Sequence, residues 1–324
     1  MKKLTTVTAL AAGILAPSTA LAVEGGTGAY LLGSRSVAAG FVPAPGVYVT
    51  DTVVYLNGGT KSDLATVGGA IVADPSYEAW LNLFGVTLIP QGDFLGGSAG
   101  ISVVVPYSSV NMDFDARFLG GPLDASASLA GFGDIAVTPL IGWHDGYWNY
   151  SLSATVFLPT GKYSPAVVNP AEGIYDVLNI GKNKFAIDPT FSVTWLNPNI
   201  GLEVSGALGV TFSSKNQTTD YQTAPELHFE TAIAQRFRNG AVIGLAGYAY
   251  QQLGNDSGSG AKALEAALGA KSLQARVFGI GPVVGYQTTI AGTSVNLQAK
   301  YLHEFAAKRR LESDSFWFTA SLGF

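Results

Sequence analysis

Glu226, His228 and Glu230 stand two apart in a sequence of 324 residues, so on an extended strand their side chains share one face. A carboxylate on either side of an imidazole can poise a proton relay or hold a cation, because nearby negative charge favours the charged ring. The same row serves equally as a polar wall cross-linked to basic residues of adjoining strands, for which Arg236, Arg276 and Lys300 are the candidates. Other patterns carry less. Gly96–Gly100 matches the spacing of a nucleophile elbow, but it lies between a turn and a strand, where no elbow forms. Asp256-Ser257-Gly258-Ser259-Gly260 opens like a calcium loop yet lacks the later bidentate Glu, and reads as a flexible turn. With no Cys, three scattered His and no Walker spacing, neither a metal site, a cofactor nor a catalytic residue is expected.

Those side chains need a scaffold, and composition narrows it. Only 13% of residues are charged, against about 25% in an average soluble domain, and mean hydropathy is +0.27. Apart from the N-terminus, Gly, Pro, Asp or Lys interrupts every apolar run well before the roughly 20 residues a membrane helix needs. An apolar chain without spanning helices is left with the closed barrel, whose backbone amides are all paired between strands. The net charge of −5 gives no basic face, so no nucleic-acid partner is expected.

Periodicity agrees. Phe185, Ile187, Phe191, Val193 and Trp195 alternate with Lys184, Asp188, Thr190, Ser192 and Thr194. Leu202, Val204, Leu208, Val210 and Phe212 oppose Glu203, Ser205 and Thr211, while Val295, Leu297, Tyr301 and Phe305 oppose Asn296, Gln298, Lys300 and Glu304. Period two with one apolar and one polar face predicts an all-β, antiparallel transmembrane barrel of about twelve strands, polar toward the lumen. The lumen-lining candidates are therefore Asp188, Glu203, Glu226, His228, Glu230, Arg236, Arg276, Lys300 and Glu304. A soluble sandwich also alternates, with its apolar face inward.

The connections add a direction. Asp145-Gly146, Asn197-Pro198-Asn199 and Arg238-Asn239-Gly240 are tight turns, whereas 57–76, 108–130, 160–183 and 254–271 are long. Bacterial outer-membrane barrels have short periplasmic turns and long outer loops, so an even strand count puts both termini on the periplasmic side. Lys2, Lys3, the apolar core from Val7 to Ala16 and the small-x-small site Ala20-Leu21-Ala22 read as a signal peptide over 1–22. Residues 23–45, rich in Gly, are expected to form either a lumen plug or a periplasmic tail, with the barrel over 46–324. In the last strand Phe316, Phe318, Ala320, Leu322 and Phe324 share one face, and the terminal Phe324 reads as the assembly signal for the barrel-assembly machinery.

With the strands placed, a resemblance emerges. Its motifs are Pro43-Ala44-Pro45-Gly46, Gly131-Phe132-Gly133-Asp134-Ile135, Phe157-Leu158-Pro159-Thr160-Gly161-Lys162 and Asn179-Ile180-Gly181-Lys182-Asn183. Thr219-Asp220-Tyr221, Glu226–Glu230, Gly247-Tyr248, Gln251-Gln252, Asp256–Gly260 and Gly279-Ile280-Gly281-Pro282 follow. In this order the chain resembles the outer-membrane proteins named for the meta-pathway of phenol degradation. The resemblance implies passive uptake of small apolar or aromatic compounds, with outer-membrane lipids and such solutes as partners. A general solute porin and, from a different class, an outer-membrane lipid hydrolase are the alternatives. The Ala/Leu-rich stretch Ala261–Leu268 departs from the pattern and suggests a short helix in an outer loop.

Overall fold

Twelve strands close into one antiparallel barrel in the computed structural model, which describes residues 26–59, 65–67, 70–115 and 124–324. The signal peptide expected over 1–22 lies outside the described residues. We number the barrel strands β1 (Gly46–Gly59), β2 (Ala70–Ile89) and β3 (Ser98–Asp115). Next come β4, in two halves (Ala125–Phe132 and Ala136–Asp145), and β5 (Trp148–Phe157). After them come β6 (Ala186–Asn197), β7 (Leu202–Ser213), β8 (Glu226–Arg236) and β9 (Ala241–Gln252). The last three are β10 (Arg276–Ile290), β11 (Thr293–Lys308) and β12 (Glu312–Gly323). Each strand pairs with its sequence neighbours, and β1 pairs with β12 to close the ring.

The period-two pattern is the cause. In β6 and β7, Asp188, Thr190, Ser192, Thr194, Glu203, Ser205 and Thr211 are buried, while Ile187, Phe191, Val204, Leu208 and Phe212 are exposed. The barrel is thus a sandwich pattern turned inside out. Along β1 the outward apolar stretch runs from Val47 to Tyr55, which matches the about 9–11 residues a tilted strand needs to cross a hydrocarbon layer. At its upper edge Tyr301, Phe316, Tyr55 and Trp80 face one another across β11, β12, β1 and β2. This is an aromatic girdle. One step beyond lies a polar row, His303, Asp314, Asn57, Glu78 and Asn111, again directly opposed strand to strand.

Two features differ from the sequence reading. First, the long connections 57–76 and 108–130 are largely strand: β2 begins at Ala70, β3 runs to Asp115 and β4 begins at Ala125. Alternation continues there because Tyr77, Met112 and Phe114 pack inward with Val177 and Leu311. Second, β4 is broken at Gly133-Asp134-Ile135, with both halves paired to β3. The short helix suggested for Ala261–Leu268 is present as α1 (Ser259–Ala267), whose Ala261 packs with Leu32, Tyr221, Leu268 and Leu273 over one mouth.

The break in β4 gathers three of the quoted motifs. Asp134 accepts the Gly161 and Lys182 amides, both at 2.8 Å, and the Lys162 amide bonds to the Phe132 carbonyl at 3.0 Å. A Cβ on Gly161 would meet the Gly181 Cα at 2.6 Å, so two backbones pass where only glycines fit. The Asp134 carboxylate, with the Lys162 and Thr160 bonds beside it, clasps the 158–185 connection to the wall.

At the other mouth, the Phe324 amide and carbonyl both bond to Val47, at 2.9 and 3.1 Å. Its ring is exposed, in line with outward Phe316 and Phe318. We expect deletion of Phe324, or Phe324→Asp, to lower the amount of folded, heat-modifiable barrel in isolated membranes. Normal amounts would show that the terminus is no assembly signal.

Candidate functional site

The lumen holds two unlike walls. On the faces of β1–β5 that point inward, the described side chains are mostly hydroxyls, aliphatics, glycines and a few aromatics, with His144 and Asn149 at the short-turn mouth: Thr50, Thr52, Leu83, Thr87, Ser102, Val104, Thr138 and Thr155 line the middle. Among the described inward residues of β1–β5 no Asp, Glu, Lys or Arg stands at the middle of the wall, and the one buried acid of these strands, Asp115, lies at the end of β3. The charges stand opposite, on β6–β8 and β11.

There Asp188 accepts Thr190 and Thr211 hydroxyls, each at 2.5 Å, and faces His228 Nε2 at 2.9 Å. Burial of all four groups makes this pairing obligatory, since an unpaired buried charge is costly. Tyr30 stacks on the His228 ring at 3.8 Å, nearly parallel. Glu203 accepts Ser205 at 2.8 Å and pairs with Arg236 Nε at 2.5 Å, and Arg236 reaches Gln287 at 2.7 Å. Glu226 accepts Tyr250 at 2.7 Å. Glu304 takes Tyr248 at 2.9 Å and lies 3.6 Å from Arg310. Lys300 lies over the Trp317 ring at 4.3 Å and donates to the Gly33 carbonyl.

The segment preceding β1 runs along this charged wall, held mostly through its backbone. Glu230 accepts the Arg35 amide at 2.7 Å, Glu203 the Ala38 amide at 2.5 Å and Thr194 the Gly40 amide at 3.0 Å. The Arg35 guanidinium reaches across to Ser192 at 3.2 Å and Ser153 at 2.8 Å. Above, Lys182 bonds Thr27; below, Val42 packs on Gly142. Glycine is required by proximity. A Cβ at Gly40 would fall 2.5 Å from the Asn149 carbonyl, and Gly33, at φ +88°, sits against Leu302, Trp317 and Tyr248. Beside Phe41 and Val42 a cleft of about 470 Å³ opens at the short-turn mouth, lined also by Trp143, His144 and Asn149.

Eight of the nine lumen candidates therefore converge on one wall and on one segment. The exception is Arg276. It is exposed and in step with outward Phe278 and Ile280, because the alternation of β10 runs unbroken through Arg276 and the irregularity beside it adds its extra residue to β11. The expected partners of the Glu226-His228-Glu230 row also differ: Arg236 pairs with Glu203 and Lys300 with Gly33, while the row meets Tyr250, Asp188 and residues 30–35. Sequence reasoning missed Tyr30, Arg35 and Gly40, whose only signal was the glycine density of 25–40. Asp256 is no flexible turn. It accepts Tyr221, the Ala224 amide and Gln252 and so fixes the 254–271 connection. In the same region Lys215 holds the exposed Asp220 carboxyl well below the usual carboxylate range, helped by Ser259 at the start of α1.

Residues 60–320 match the protein family described as "Putative MetA-pathway of phenol degradation". Among solved structures, an outer membrane channel from Pseudomonas putida F1 aligns at TM-score 0.66 and 14% identity, over 87% of this chain and 97% of that one. That likeness is one of fold. Looser likenesses join the β domain of the Bordetella autotransporter BrkA (TM-score 0.47, 11% identity, 86% and 99% covered) and a Pseudomonas aeruginosa FadL homologue (TM-score 0.44, 11% identity, 97% and 99% covered). No curated protein matches the chain.

Proposed function

Since the chain belongs to this phenol-degradation family, we propose that it is an outer-membrane channel for passive inward movement of small apolar or aromatic compounds. The uncharged wall of β1–β5 carries this reading. The charges of the opposite wall are taken up by one another and by residues 27–40, so what is left to a solute is hydroxyl and aliphatic surface. Such a surface asks no ion to shed its hydration and offers an apolar molecule contact throughout. Residues 23–45 act as a plug in this proposal, and the cleft beside Phe41 and Trp143 is the exit.

A strain lacking the gene should lose uptake of aromatic or alkane substrates while its growth on sugars is unchanged. Equal loss on sugars would instead fit a general solute porin. A lipid hydrolase has less support: His228 is buried beneath Tyr30, and outward His303 is bonded to Asp314 at 2.7 Å without a Ser at hand among the described contacts. Phospholipid turnover by the purified barrel, abolished in His228→Ala, would overturn the channel reading.

The channel would expose its long connections to the cell exterior. Cysteines at Gly173 and Gly258 should then react with a membrane-impermeant maleimide on intact cells, while one at Asp145 should not. Ser62, which also falls in a long connection, lies outside the described residues. Thr27 is held near the outer ends of β5 and β8, whereas Phe324 lies at the mouth with the short turns.

A further inference from the structure

Among the described residues, the outward face carries a polar pair that its position does not explain. Asp51 on β1 and Asn82 on β2 are both exposed, and the Asn82 amide donates to the Asp51 carboxylate at 2.8 Å. They do not belong to the girdle. Asp51 is central in the apolar run Val47, Val49, Asp51, Val53, Tyr55, and Asn82 stands between Trp80 and Phe84. Their cross-strand neighbours on the outward face are equally apolar: Ala320 and Phe84 oppose Asp51, and Val53 and Tyr107 oppose Asn82. The polar row from His303 to Glu78 lies beyond the aromatic girdle, where headgroups and water reach it. The Asp51–Asn82 pair lies below it.

An ionisable group facing hydrocarbon at mid-depth is expensive and needs a partner that water cannot supply there. Resting on the reading that this band lies in lipid, we propose that Asp51 and Asn82 form the centre of an interface with a second copy of this chain. Two copies related by an axis along the membrane normal present the same patch to each other. The pair is self-complementary under that operation. Each Asn82 keeps one N–H beyond the bond it already makes, and each Asp51 keeps lone pairs, so reciprocal Asn82-to-Asp51 bonds join the copies. Without a hydrophobic drive between lipid-facing surfaces, such bonds and close packing are what hold them together. Ala320, directly opposite Asp51, supplies the small side chain that lets the two walls approach.

The chain contains no Cys, so Ala320→Cys gives a single thiol beside the pair. In isolated membranes a short bis-maleimide should link it into a species of twice the monomer mass. Ile233→Cys, exposed on the far wall, should not react in this way. Asp51→Val with Asn82→Leu, in the Ala320→Cys background, should cut the linked fraction by roughly tenfold, as expected for two lost interhelical-strength hydrogen bonds in lipid. Asp51→Asn, which keeps the amide pairing, is the second variant and should retain most of it. Linking at Ala320 no better than at Ile233, or unaffected by the double replacement, would overturn the interface. A linked band of any other mass would also overturn it, in favour of a different partner. Solute uptake measured on the same strains separates this outcome from failure of the channel reading, which the interface does not determine.

Discussion

Deleting residues 27–41 should convert a restricted pore into a wide one, with single-channel conductance in planar bilayers rising severalfold and selectivity moving toward cations. Two observations set the direction. The segment fills the lumen beside β6–β9, so its loss leaves water where Tyr30, Leu32 and Arg35 now stand. It also removes the Arg35 guanidinium, the one charged side chain of residues 27–41, and the amides that Glu203 and Glu230 now accept, so the wall loses positive charge and two carboxylates lose their donors. Rings and rows of carboxylates select cations. The barrel itself should persist, because the closed ladder from β1 to β12 does not run through the segment. Conductance and selectivity equal to those of the full chain would show that the lumen is not where the segment resides in the membrane.

The second large effect concerns Asp134. Its carboxylate accepts two backbone amides from a connection that also bonds the wall through the Lys162 amide and the Thr160 hydroxyl. Hydrogen bonds to a charged group contribute about 1.5–3 kcal/mol each, and with the site only half-buried we expect Asp134→Ala to cost about 2–4 kcal/mol. The measure is the urea midpoint of the refolded protein in detergent. Asp134→Asn keeps one acceptor oxygen and should lose about half as much. Equal midpoints for all three proteins would mean that the break in β4 is held by strand pairing alone.

These two sites differ in how much of them the sequence disclosed. The strands were legible because a barrel wall is the simplest code a chain can carry: one residue for lipid, the next for the lumen. Asp188, Glu203 and Lys300 could be placed on the inner face from that code alone. What they hold could not. Carboxylates that bind backbone amides of another segment leave no trace in that segment's side chains, and Arg35 to Gly40 show only their glycines and small residues. Arg276 failed for the opposite reason: it stands two residues from outward Phe278, so the code places it on the lipid side, and its charge alone suggested the lumen. The motifs around Asp134 were visible as residues, yet their meeting point, a broken strand, interrupts the very pattern used to find strands.

The segment's position also constrains the order of events by which the molecule forms. Residues 27–40 lie inside a ring whose final seam joins β1, the strand they lead into, to β12, the last strand made. Once that seam zips, entry is possible only end-on through a mouth. An open sheet bearing β6–β8 already displays Thr194, Glu203 and Glu230, so the amides of Gly40, Ala38 and Arg35 have their acceptors before closure. Seating first and sealing afterwards needs no threading. In that sequence the N-terminal stretch is a mandrel around which the sheet curls, and its shape is imprinted on the cavity it comes to occupy.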